Sequence, residues 1–231
     1  APYDNRMGYS SIPTFVGLLT ARGFEVEAQA GLSPDLLRHA RWGLFPPYLE
    51  KSQAGLEILD FRGEAIFSSR SPGRVYTRFE SIPGIVVDTL LFIENREVLD
   101  FRHPYRNPAV EWDRLAKATL DATWSLVDRG HNVAGGSTLA TQLEKFRHSP
   151  EGRTSAAREK LRQLTSASFR SYLEGEDTRE ARRRIVLDYI NSVPLAAMPG
   201  HGEVTGLGDG LRVWFGQDLD DDSLMWSLRG Y

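Results

Sequence analysis

Cysteine is absent from the 231 residues, which removes a disulfide framework and any thiolate metal site. That suits an oxidising compartment as well as a reducing one. Histidine is scarce. His103, His131, His148 and His201 show neither an HExxH pattern nor paired spacing, so no zinc site is expected. No run of about 18 apolar residues occurs, so no segment has the pattern of a membrane-spanning helix. A GxSxG elbow, a GxxxxGK[ST] loop and a GxGxxG turn after a strand are all missing. Those absences argue against a serine-hydrolase elbow, a nucleoside-triphosphate loop and a dinucleotide site. The net charge of −3 carries no global basic field of the kind that announces nucleic acid.

What is present is enough for a core. Hydrophobic residues make up 41% of a chain long enough for one substantial domain, or one domain with a smaller lobe. The charge is uneven: residues 145–184 are rich in Arg and Lys, while QDLDDD at 217–222 is acidic. There is no internal repeat, no low-complexity tract and no signal-peptide pattern. The start at Ala1-Pro2 is the kind expected of a processed or excised piece.

Local signals give the order of elements. SPDLLRHARW (33–42) predicts a short helix with Ser33 as N-cap and Pro34 at its first position. GLEILDFRGEAIFSS (55–69) predicts a hairpin turning at Arg62-Gly63. From Ser81 the texture turns helical. Ser81 is placed to cap a helix running from Pro83 through Glu94, and residues 107–130 predict a helix capped by Asn107 and opened by Pro108. Further helices are expected over about 155–173, with Ala157, Leu161, Leu164 and Ser168 on one face, and over about 178–191, with Ile185, Val186, Tyr189 and Ile190 as the stripe. After Pro194 the Gly-rich PGHGEVTGLGDG reads as loop.

Three features invite a chemical reading. Val87, Leu90 and Leu91 are apolar at helical spacing, and the next residue due on that face is Glu94. A carboxylate drawn out of water beside an apolar face is suited to general acid or base work. The plainer reading is a helix-end Glu that turns to solvent or pairs with Arg96. AGGSTLATQLEKF (134–146) is a tight turn feeding a helix N-terminus, where exposed N–H groups attract anions. The plainer reading there is an N-cap by Ser137 or Thr138. The third feature is the basic set Lys145, Arg153, Arg158, Lys160 and Arg162, suited to phosphate or pyrophosphate by charge-assisted bonds, or else a solvated helix face.

Taken in order, these pieces resemble the family 51 glycosyltransferases. That family comprises the peptidoglycan glycosyltransferase domain of class A penicillin-binding proteins and its monofunctional relatives. IPGIVVDTLLFIENRE resembles the family's apolar helix ending in Glu-Asp-Arg, and GGSTLATQLEKF its Gly-Gly-Ser-Thr-x-x-Gln-Gln-x-x-Lys signature. GRTSAAREKLRQL, RRRIVLDYINSV and GLGDGLRVWFGQDL are similar to its later segments. Order and spacing agree over about residues 75–219, and residues 1–54 carry no resemblance.

The resemblance implies a mainly α fold: a lysozyme-like helical head with a smaller jaw lobe. Before it stands a short N-terminal α+β segment with the hairpin, dividing the chain at 1–74 and 75–231. It implies transfer from a lipid pyrophosphate, polymerising lipid II into glycan strands at the outer face of the inner membrane, with a membrane anchor upstream. No cofactor is required, with room for a divalent cation at the pyrophosphate. Implied partners are lipid II, the growing glycan, the membrane surface and other cell-wall synthesis proteins.

Glu94 matches the family's general base, and Lys145 and Arg153 match the cations beside the pyrophosphate at the family's spacing of eight residues. Asn95, Ser137, Thr138, Gln142 and Lys160 fall at substrate-binding positions of the same motifs. The departures are specific. Asn95 stands for Asp, Phe101 for a His, and Thr141 for the first of the paired Gln residues. The second acid falls on Gln163, with Glu159 as the acid of an alternative gap placement. A weakened enzyme, an inactive module that binds lipid II or glycan, and a lysozyme-like cleaving enzyme therefore all remain open. Hydrolysis has no need of the Lys145/Arg153 pair, which disfavours the last.

Overall fold

Ile185, Val186, Tyr189 and Ile190 recur at helical spacing, and all four are buried as the sequence pattern expects. They form the seam on which the helices close. The computed structural model describes residues 2–29, 31–112, 137–154 and 156–217. Among these the chain is mainly helical. The helices are α1 (Pro2–Arg6), α2 (Ile12–Thr20), α3 (Pro34–Arg41), α4 (Gly84–Ile93), α5 (Leu139–His148), α6 (Ala157–Ser171), α7 (Arg179–Ser192) and α8 (Gly206–Phe215). An antiparallel hairpin, β1 (Ala54–Leu59) and β2 (Ala65–Ser71), stands between α3 and α4.

α5 is the hub: α6, α7 and α1 all pack on it, and α8 packs on α7. Leu139, Ala140 and Leu143 of α5 join the α7 stripe and Val87 of α4 in one core. Ion pairs fasten the same contacts. Arg147 of α5 meets Asp188 of α7 at 3.1 Å, and Glu144 of α5 accepts from Arg170 Nε of α6 at 2.7 Å.

Local chemistry explains most ends. Ser33 caps α3, accepting from Leu36 N at 3.2 Å. The Asp60 carboxylate accepts from Arg62 N and Glu64 N, and Gly63 supplies φ +81° for the hairpin turn. Ser81 differs from expectation. Its hydroxyl donates back to Arg78 O at 2.6 Å, and α4 begins without a side-chain cap. Residues 107–111 form a turn instead of helix, with Asn107 Oδ1 accepting from Ala109 N. The remainder of that expected helix lies outside the described residues.

On α6 the inward face is Gln163, Ser166, Ala167 and Ser171, while Leu161 is 60% exposed. Of the expected stripe, Ala157 and Leu161 are exposed, whereas Leu164 is half-buried against the core and Ser168 is half-buried. Ala167 joins the apolar core with Leu164 packed against it, and the polar part of the face bonds to backbone: Phe45 N donates to Ser166 Oγ at 2.9 Å. The Gly-rich stretch is corrected, since residues 206–215 are helix. A Cβ on Gly206 would lie 2.5 Å from Asn191 O, so glycine is what allows α8 to press on the end of α7.

The N-terminal segment is stitched to the helical part. Tyr3 is 2% exposed, and its hydroxyl donates to Lys51 O at 2.5 Å. Arg170 donates to Pro46 O at 2.9 Å and to Tyr48 O. α2 differs from the other helices of comparable length: it carries no charge and buries no residue.

The loop after α4 hangs on Arg182. Its guanidinium donates to Glu97 O, Val98 O, His103 O and Arg106 O, and its Nε to Thr178 Oγ1. Burial pulls this side chain below the usual arginine range, and the nearby Asp100 charge acts the other way. Arg182→Met keeps the apolar stem but leaves buried carbonyls without donors. It should cost about 1.5–3 kcal/mol of stability, read as a lower urea midpoint with unchanged slope. A wild-type midpoint would contradict this role.

Candidate active site

Glu94 is the C-cap of α4, with φ −101° and ψ −46°, where the helix stops fixing its side chain. It is half-buried, short of the fully apolar setting its spacing suggested. Arg96 does not pair with it. That guanidinium lies over the Phe92 ring, and its Nε donates to Phe92 O. What holds Glu94 is an amide from another helix: Gln142 Nε2 of α5 donates to Glu94 Oε2 at 3.0 Å. The other end of that amide, Oε1, accepts from the Tyr189 hydroxyl of α7 at 3.2 Å. The Tyr189 phenol is pushed up to about 12, first by burial and then by the Glu94 charge. Three helices thus meet through one amide.

Lys145 follows Gln142 by three positions on α5, which puts it one turn along the same face, about 5–6 Å away between Cβ atoms. It is half-buried with its Nζ 5.8 Å from the Phe146 ring centre, and among the described residues no carboxylate pairs with it. α5 itself is started by Thr138, whose hydroxyl accepts from Thr141 N at 3.3 Å. Thr141 turns its own hydroxyl back to Thr138 O at 2.9 Å. The Thr at the position of the family's first Gln thus serves the cap. Ser137 Oγ lies 3.4 Å from Thr141 Oγ1, while Gly135 and Gly136 lie outside the described residues.

Arg153 is exposed on the extended residue that leaves a tight turn, Pro150–Gly152. That turn is strained: Glu151 has φ +55°, unusual for a residue with a Cβ. Gln163 explains how it is held. Its Nε2 donates to Ser149 Oγ at 2.8 Å and to Thr154 Oγ1 at 3.0 Å, so the amide clasps the chain on both sides of Arg153. Gln163 is 2% exposed, and both its N–H groups are engaged there.

The other site residues take no part in the Glu94–Gln142–Tyr189 bonds. Glu159 is half-buried in the first turn of α6, on a groove shared with Trp42, Arg158 and Arg162, and Lys160 is exposed beside it. Asn95 is 2% exposed, and among the described residues its Nδ2 has no hydrogen-bond partner. It faces a cavity of about 10 Å³ shared with Arg182, roughly the room one water needs. Phe101, at the position of the family's His, is half-exposed under the Arg183 guanidinium. Among the described residues no group of three His, Asp or Glu side chains is arranged to hold a metal ion.

Tyr189 is the functional candidate that periodicity passed over. It counted only as part of an apolar stripe. The signal was its hydroxyl, since a buried Tyr needs a partner for it.

The carboxylate held by an amide, one turn from a lysine, sits in a mainly helical chain. The comparison with known families is direct: residues 62–226 match the family described as Transglycosylase, well over half of the chain, and the protein belongs to it. The match extends beyond the motifs at both ends. Comparison with curated protein sequences gives no match.

The Gln163 clasp yields a test. Gln163→Leu removes the amide and leaves the Ser149 and Thr154 hydroxyls without it. It should cost about 1–3 kcal/mol in urea unfolding and loosen the Arg153 turn. Stability equal to wild type would show that the clasp does not operate in solution.

Proposed function

We propose that this protein is a peptidoglycan glycosyltransferase that polymerises lipid II, with inversion at the anomeric carbon and a lipid pyrophosphate as leaving group. The observation that carries the reading is the Glu94–Gln142 hydrogen bond on the helix that also bears Lys145. Glu94 takes the proton from the 4-hydroxyl of the acceptor sugar. That oxygen attacks the anomeric carbon of the growing strand, and the bond to the pyrophosphate oxygen breaks. Lys145 and Arg153 neutralise the charge that gathers on the departing pyrophosphate, where a preorganised cation is worth most. No cofactor is required; a divalent cation at the pyrophosphate would add to the neutralisation that Lys145 and Arg153 supply.

The site belongs, on this reading, at the outer face of the inner membrane. α2 supports it: Ile12, Phe15, Val16, Leu18 and Leu19 are each more than 40% exposed. A nine-residue helix that is apolar all round is too short to span a bilayer and suited to lying in its surface. The growing glycan and other cell-wall synthesis proteins are the remaining partners.

A second reading has its own observation. The candidate second-acid position is Gln163, whose amide is spent on the Arg153 turn. That favours a weakened enzyme, or an inactive module that binds lipid II or glycan. Glu94→Gln separates the readings. Loss of a general base should slow polymerisation of purified lipid II by about 10²–10⁴-fold, with lipid II affinity unchanged. Polymerisation at wild-type rate would remove Glu94 from the mechanism. No polymer from wild type, with retained binding, would leave the binding module.

A further inference from the structure

A base that must meet an incoming hydroxyl has to be held still, and Glu94 is badly placed to hold itself. It ends a helix, its neighbour Arg96 is turned away, and among the described residues no donor reaches its Oε1. Glu is also among the side chains with most rotamer freedom to lose. Resting on the glycosyltransferase reading, we infer that Tyr189 is a positioning residue for Glu94, acting through the Gln142 amide.

The direction of the chain follows from what each group can do. An ionised carboxylate only accepts, so Gln142 must turn its NH₂ toward Glu94. Its Oε1 then faces Tyr189, which must donate. The phenol stays protonated through the working range, because burial and the carboxylate both oppose its ionisation. An amide that accepts at its oxygen becomes a better donor at its nitrogen, so Tyr189 strengthens the bond that fixes Glu94. Without the phenol hydroxyl the amide is free to flip, and its oxygen would then face the carboxylate and repel it. Gln142, matched by resemblance to a substrate-binding position, therefore has one end of its amide on each neighbour. It serves the base rather than the sugar.

Two measurements test this, and they fail separately. The first needs no activity: the Gln142 side-chain amide signals in ¹⁵N-labelled protein. In wild type the two Nε2 protons should be well separated in shift, since one is bound to a carboxylate. Tyr189→Phe and Glu94→Gln should each move them. Signals unmoved by Tyr189→Phe overturn the relay.

The second is kinetic, on lipid II. Tyr189→Phe should lower kcat about tenfold, the worth of one such bond, with KM unchanged. Gln142→Leu should cost as much or more, and adding Tyr189→Phe to it should cost nothing further. Additive losses, or a change confined to KM, would overturn the positioning role. If wild type makes no polymer, the glycosyltransferase reading fails, while the amide signals still decide the relay.

Discussion

One hydrogen bond, Gln142 to Glu94, joins residues 48 apart in the chain and sets the geometry of the site. It fixes the end of α4 against the middle of α5, and through Tyr189 against α7. A carboxylate held by an amide can act as an acceptor without being neutralised by a cation. In the mechanism proposed above, that separation leaves the cationic charge at Lys145 and Arg153 for the leaving group. A direct Glu94–Lys145 pair would have consumed both.

The rest of the fold keeps α5 where this bond needs it. Arg147 to Asp188 ties α5 to α7, and Arg170 to Glu144 ties it to α6. Residues before 62, which precede the family match, close the other side. Tyr3 is buried beside Arg147, and Phe45 stacks on His148 with ring centres 4.7 Å apart. Pro46 and Tyr48 supply carbonyls to Arg170. Buried charges of this kind cost desolvation and add little net stability, but breaking one partner is expensive. Their effect is to specify one seat for α5. Arg182 does the same for the loop that follows Glu94, and Gln163 for the turn that carries Arg153.

How much of this was legible follows from where each signal lives. Ser33-Pro34, the Asp60–Gly63 turn and the α7 stripe are local chemistry, and they could be read directly. α1 could not, since its one buried residue, Tyr3, is held by partners far along the chain. The packed face of α6 was only half legible, because Gln163, Ser166 and Ser171 share it with Leu164 and Ala167. α8 was hidden by its glycines, which look like loop until the close approach to Asn191 is known. In the site, Glu94, Gln142, Lys145 and Arg153 were legible as motif positions. The job of Gln142 was not, because it depends on Tyr189 arriving from another helix. Nor was that of Gln163, whose partners Ser149 and Thr154 carry no periodic signal.

The central claim is spatial: the base and the cations flank one bound substrate. The most direct measurement is a structure of the Glu94→Gln variant with lipid II bound, so that binding persists without turnover. The account requires pyrophosphate oxygens within hydrogen-bond reach, about 3 Å, of Lys145 Nζ and the Arg153 guanidinium. It also requires a sugar hydroxyl against the side chain at position 94. A pyrophosphate seated elsewhere, for instance between Trp42 and Arg158, with position 94 facing only solvent, would contradict it.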